Sequence, residues 1–486
     1  MLSPDKRQPG ALSALDSTTA EDQLGPDNAF AAAQAAYLSG ADREAVRLCW
    51  HAREELDRAV DPRPELHVRI VHLMLIAAQR WWRGPDGSSA MPVRALVDEA
   101  LSIADQEGDP LLQSLARQAQ GAYFIAMRGL PDAIGALTEA VRYARMSGDI
   151  VTQIDALSEL GHHTAGVDLA RTLTLLNEAY QLVLRMPRDD TSDRAYLIRS
   201  GRVAGFLGVA HFDAGNFDEG ERWLRQALAD LDSAGIVDQF LMISNYLGQL
   251  LIAAGRYDDG RQTLREALDR TPNEADASMH LGYNLALLGK LELEAGRPGA
   301  AEEPIMAGWR HLQETQHASV RPIVRNYLAE LLIHPLYAGR DLVAAADLLI
   351  ETAKECHHSG FRRSELAALA LHATVALEQG EKLVALALSE QAAAGLDQAG
   401  TLPALRSEEI YLVRHNALRA GSYDSDEADR SLRRAWEILC TKASTVDDPR
   451  RRQIFYTQVP VSVAIIDAGR RYLAMPAPDP ADGCRS

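Results

Sequence analysis

Aromatic residues are scarce in this chain of 486 residues: they make up 6% of it, with 8 Phe in all. Sheets draw heavily on aromatic and β-branched side chains, so the shortage speaks against a β architecture. Cysteine is rarer still. Cys49, Cys356, Cys440 and Cys484 lie far apart and form no CxxC pair, which excludes a disulfide framework or a zinc ribbon and fits a reducing compartment. Basic charge is in deficit, 50 Lys and Arg against 68 Asp and Glu, for a net charge of −18. A field of that sign argues against nucleic acid or an anionic membrane as a partner. No apolar run approaches the ~18 residues of a membrane span. The stretch up to Asp27 lacks an apolar signal core and reads as a solvated tail. These absences describe a cytoplasmic protein.

The catalytic motifs are missing too. There is no Gly-rich phosphate loop followed by Lys-Ser or Lys-Thr, no HExxH and no Gly-x-Ser-x-Gly elbow. Gly289-Lys290 is followed by Leu291, and no glycine stands where a phosphate loop needs one. No cofactor or metal is expected. His162-His163, His357-His358 and Cys49-Trp50-His51 place neighbouring ligands about 100° apart on a helix, too far to share one metal. They read as helix-end or packing residues. Trp81-Trp82 reads as one core and one surface aromatic, and Arg430, Arg433 and Arg434 as a solvated helix face.

What the chain has is a repeat. Length alone suggests about three domains, but a pattern of roughly forty residues overrides that. Gly208 is followed by Gly220, Leu224 and Ala227; Gly248 by Gly260, Leu264 and Ala267; Gly289 by Ala301, Ile305 and Gly308; Gly121 by Ala133, Leu137 and Ala140. Each set lies at the same offsets of twelve, sixteen and nineteen residues. Such offsets suit two antiparallel helices, where a small anchor residue on the first lets the second approach closely. Turn glycines at Gly129, Gly215, Gly255 and Gly296 would end the first helix. Gly108, Gly148, Gly235, Gly360 and Gly400 would end the second. The expectation is an all-α chain with no strand. Met186 to Asp193 reads as a polar insertion, and Pro335 as an interruption of the helix beginning near Arg321.

The pattern resembles the tetratricopeptide repeat, most fully in Tyr246-Leu247-Gly248 through Gly255-Arg256-Tyr257 and in Leu207-Gly208 through Gly215-Asn216-Phe217. Its period is longer than the nominal one and is similar to that of the sensor arms of bacterial signalling ATPases and large LuxR-type regulators. The ATPase and DNA-binding parts of those proteins are absent. The resemblance implies a right-handed α-solenoid of about ten antiparallel helix pairs over residues 28–447. It also implies a capping helix within residues 448–475; composition reads 1–27 as a disordered tail and the Pro- and Asp-rich 476–486 as a flexible one. Neighbour contacts then supply the stability that no single pair has.

The resemblance also implies a ligand groove lined by the first helix of each pair. Carried over by position, its exposed residues are Gln118, His162, Arg202, Phe212, Met242, Asn245, Gln249, Tyr283, Lys290 and Asn326. Amide side chains such as Asn245 and Asn326 can hydrogen-bond an extended peptide backbone without reading its sequence, and Arg202 and Lys290 would hold a carboxylate. Two functions stay open: a non-catalytic module binding a peptide or protein segment, in bacterial regulation or complex assembly, and a small-molecule receptor or enzyme using the same concavity through His162, His163 and Asp155. Self-association is left open.

Overall fold

The computed structural model describes residues 25–39, 41–59, 63–78, 92–127, 129–188, 193–271, 279–313, 320–400 and 406–481. Trp81-Trp82, Cys484 and most of the expected N-terminal tail lie outside them. Among the described residues there are twenty-two helices and no β-strand, and no helix is long and apolar enough to cross a membrane.

The helices form ten consecutive pairs. They are α1 (Pro26–Leu38) with α2 (Asp42–Arg58), α3 (Pro64–Ala78) with α4 (Val93–Glu107), and α5 (Pro110–Met127) with α6 (Leu130–Ser147). Then come α7 (Ile150–Thr164) with α8 (Leu169–Val183), α9 (Asp193–Asp213) with α10 (Phe217–Ala234), and α11 (Val237–Ala253) with α12 (Tyr257–Asp269). The last four are α13 (Met279–Glu294) with α14 (Pro298–Gln313), α15 (Arg321–Ile333) with α16 (Leu342–Ser359), α17 (Arg362–Glu378) with α18 (Lys382–Ala399), and α19 (Ser407–Ala420) with α20 (Ser425–Ala443). Two terminal helices, α21 (Pro449–Gln458) and α22 (Pro460–Leu473), close the stack. The helix that begins at Arg321 stops at Ile333, ahead of Pro335, because proline cannot donate to the helical ladder.

The anchor offsets are contacts. A Cβ at Gly121, Gly208, Gly248 or Gly289 would lie 2.7, 2.6, 2.9 or 2.5 Å from Leu137, Leu224, Leu264 or Ile305. Each of those partners sits sixteen residues on. All nine glycines expected to end helices take positive φ, where a side chain would be strained. One expectation about cysteine fails in part. Cys440 is disulfide-bonded, so the wide spacing excludes a framework but not a single cross-link, while Cys49 and Cys356 are buried free thiols.

The pairs wind so tightly that successive turns of the superhelix touch. The third pair meets the end of the eighth: Gly360, which caps α16, packs on Pro131, and a Cβ at Gly129 would overlap the Ser359 carbonyl. The fifth and sixth pairs meet the end of the chain. Thr445 Oγ1 donates to the Gly215 carbonyl (2.7 Å), the Asp447 N–H donates to Asp218 (2.7 Å), and Tyr257 Oη donates to the Gln458 carbonyl (3.0 Å). Arg451 pairs with Asp218 (2.9 Å) and Glu221 (2.5 Å). The touching elements are about five pairs apart, so about five pairs complete one turn, and the first helices of six successive pairs line a common channel.

Candidate functional site

The channel is polar in two places. At the first, α7 and α9 present His162, His163, Asp155, Glu159, Arg199 and Arg202. The His162 ring stacks on Phe206, with centroids 4.2 Å apart and planes 12° apart, and its Nε2 lies 3.4 Å from Tyr246 Oη. Burial holds the His162 imidazole well below its ordinary range, and repulsion from His163 and His280 adds to that. Burial also lowers His163, to about 4. Both rings are neutral at pH 7. Asp155 accepts from Arg199 (3.0 Å) and lies 3.9 Å from Arg202, which also pairs with Glu159. The carboxylate expected to work with these histidines is therefore held by arginines.

The second place is a cavity of about 140 Å³ lower in the channel. Its walls come from α9, α11, α13, α15, α17 and α19: Phe212 and Asp213, Gln249, Lys290, Asn326 with Tyr327 and Glu330, Arg363 with Ser364, and Glu408 with Glu409. Arg406, Lys442 and Val459 join them, with apolar Phe217, Ile252, Ala253, Leu287, Ile323 and Ala367 between the polar groups. Four residues expected at the site, Phe212, Gln249, Lys290 and Asn326, meet here. His162 and Arg202 belong to the upper cluster, and Met242 packs against hydrophobic core on both sides. Gln118 is buried and bonds within its own helix to Ser114 (3.3 Å).

The expectation that Asn245 and its equivalents are exposed is corrected by the structure. Asn245 is 2% exposed and Asn326 5%. Asn245 Nδ2 donates to Asn284 Oδ1 (3.0 Å), Gln249 Nε2 donates to Asn245 Oδ1 (2.8 Å) and to Tyr283 Oη (3.1 Å), and Asn284 Nδ2 donates to the Leu241 carbonyl (3.0 Å). Asn245 and Asn284 bond one another behind Gln249, which alone of the three reaches the cavity wall, so Asn245 has a packing task. Asn245→Ala should therefore cost about 1–3 kcal/mol by stranding the buried groups of Asn284 and Gln249. Equilibrium urea unfolding measures this; a loss below about 0.5 kcal/mol would restore the exposed assignment.

Lys290 is also not free to take a ligand carboxylate. Its ammonium pairs with Glu294 (2.8 Å) and with Glu330, and Arg406 joins Glu294 from the far wall (2.8 Å). Burial alone would raise the Glu294 carboxyl, but Arg406 and Lys290 outweigh it and hold the group near 2. Burial works against the Lys290 charge as well, and Glu294 and Glu330 more than restore it. Glu409 is the carboxylate left over, for the cluster holds three carboxylates against two cations. Burial pushes it up to about 7, with Glu330 and Glu294 adding to the rise and Arg406 and Lys290 opposing it.

The sign of the resulting pH effect follows from the protons bound. Between about 4.5 and 7 folded Glu409 holds more proton than the unfolded chain, so its contribution to stability falls as pH rises through that window. The lowered histidines give the opposite slope over part of the same range. Glu409→Gln, which fixes the neutral form, isolates the effect. The variant should match the native protein near pH 4.5, gain on it up to pH 7 and stay level above. Parallel thermal melts across pH 4.5–8 test this, and a difference that does not change with pH would refute it.

Arg363 was not expected. It occupies the first turn of α17, ten residues before the anchor of its pair, Ala373, whose offset partners Ala385, Ser389 and Ala392 are all buried. The expected ligand positions stop six residues before an anchor and miss it. The readable signal was Arg362-Arg363 opening a helix, since the amino end of a helix repels cations.

No protein-family profile matches the chain, and no curated protein matches it in sequence. Solved structures do. A Rap protein complexed with competence and sporulation factor is 14% identical, with a TM-score of 0.54 over 77% of this chain and 98% of that one. The Rap conjugation gene regulator of plasmid pLS20, in complex with the Phr* peptide, is 12% identical, with a TM-score of 0.50 over 77% of this chain and 96% of that one. A signal transduction ATPase with a tetratricopeptide repeat sensor, from Pyrococcus horikoshii, is 11% identical, with a TM-score of 0.41 over 90% of this chain and 72% of that one. The likeness is one of fold: the chain is a tetratricopeptide-like helical-repeat solenoid.

Proposed function

We propose that the protein is a non-catalytic, cytoplasmic interaction module that takes a peptide or protein segment into its axial channel and serves bacterial regulation or complex assembly. The observation that carries this is the wall of the cavity, built from six successive first helices and rich in amide and ionic groups. A ligand placed there touches six repeats at once, so its binding energy bears directly on how the pairs stack. That the Rap conjugation gene regulator named above is in complex with a peptide agrees with the reading.

The size of the cavity favours a second reading. At about 140 Å³ it compares with a cavity of ~150 Å³ that holds benzene, and it falls short of the ~300 Å³ of a typical drug-sized site. It admits one residue of a peptide, or a small molecule of similar bulk. The test is capture of ligands by the purified protein from a random pentapeptide pool and, separately, from a metabolite extract, with mass-spectrometric identification. Peptides retained by the folded protein support the module; retention of metabolites alone would put a small-molecule receptor in its place.

A further inference from the structure

Four cationic side chains reach the cavity, and three have a carboxylate. Lys290 has Glu294 and Glu330, Arg406 has Glu294 (2.8 Å), and Lys442 has Glu408 (2.6 Å). Arg363 is the exception among the described residues. Its guanidinium donates to the amide oxygen of Gln249 (3.2 Å) and lies among the phenols of Tyr246, Tyr283 and Tyr327. Burial raises all three phenols, so they stay neutral and bring no counter-charge. A half-buried planar guanidinium is best satisfied by a carboxylate, which takes two parallel hydrogen bonds from it. Its place at the amino end of α17 strengthens the case, because the helix dipole there also draws an anion.

We infer that Arg363 receives a carboxylate of the ligand. This deepens the proposed function and rests on the same cavity. The group is either the α-carboxylate of a chain end or an Asp or Glu side chain. With room for about one residue, the cavity would hold the carboxylate and its own residue while the remainder of a peptide lies along the channel. Gln249, already bonded to the guanidinium, would orient it. The opposite wall, where Glu409 lacks a cation of its own, would repel a second anion, so the site selects ligands with a single carboxylate at this end.

The test uses the full-length protein and two kinds of probe. The first is propionate against propionamide, at matched ionic strength, read by thermal shift. The second is three pentapeptide pools: free C-terminus without acidic residues, C-terminal amide with one Asp or Glu, and C-terminal amide without acid. Propionate should raise the melting midpoint and propionamide should not. At least one acid-bearing pool should be retained tenfold or more above the neutral pool, and which one identifies the source. Arg363→Gln should abolish both preferences with its melting midpoint in buffer unchanged, and Arg363→Lys should restore part of them. A propionate effect without peptide retention would keep the carboxylate site and remove the peptide reading. Peptide retention indifferent to carboxylate, with no propionate effect, would remove the carboxylate site alone. Preferences that survive in Arg363→Gln would also overturn it.

Discussion

Gly289→Leu is expected to cost at least about 3 kcal/mol and to loosen α13 from α14, an overpacking loss at the upper end of the usual range. The first added carbon already meets Ile305 Cγ1 at 2.5 Å, the Ala301 carbonyl at 2.7 Å and the Ile305 nitrogen at 2.9 Å. Two of those three atoms are backbone and cannot swing aside as the tip of a side chain can. The pair must separate, and separation exposes the buried Leu287, Leu291 and Ile305. Gly299 is the control. It lies in the first turn of the next helix with nothing within 4 Å of an added Cβ, so Gly299→Ala should be neutral or gain up to ~1 kcal/mol. Chemical denaturation of both variants decides the matter. Equal behaviour would mean that the glycine anchors do not set the spacing of the helices.

Phe455→Ala should cost about 3–5 kcal/mol, the usual loss for a large aromatic taken from a core. Phe455 is 1% exposed, and its ring stands nearly perpendicular to that of Phe217, with centroids 5.6 Å apart. The contact joins α21 to α10 across more than two hundred residues of sequence, beside the Arg451 pairs with Asp218 and Glu221. Because the stack is stabilised neighbour by neighbour, the loss should fall first on the terminal helices. Hydrogen exchange should speed up in α21 and α22 and in the Gly215 turn, while α13 and α14 keep their protection. Uniform acceleration along the chain would show that the clasp is not a separate unit of stability.

The pairing of helices was legible because it rests on local rules. A small residue facing a large one sixteen positions on is a contact inside one repeat, and turn glycines announce themselves. The angle between one pair and the next has no such mark. It accumulates from many side chains of similar size, and it decides whether the inner faces meet water or each other. That is why Asn245 and Asn326 were expected at an open groove and lie buried, and why Lys290 and Arg202 were expected free and are paired. Glu294 stands one helical turn on from Lys290, while Glu330, Glu159 and Asp155 stand on the first helix of the adjacent pair, where only the stacking of neighbouring pairs decides which charges meet. Arg363 escaped for a simpler reason, standing near the start of its helix, outside the expected positions.

The contact between successive turns has a mechanical meaning. A coil spring whose windings already touch is at its solid length: it can be drawn out but not pressed further. With Gly360 seated on Pro131 and Thr445 on the Gly215 turn, this superhelix has only that one direction left along its axis. A guest that wedges between windings must part them, and the molecule then grows longer along its axis. Occupancy would then be legible at a distance as length, available to anything that grips the two ends.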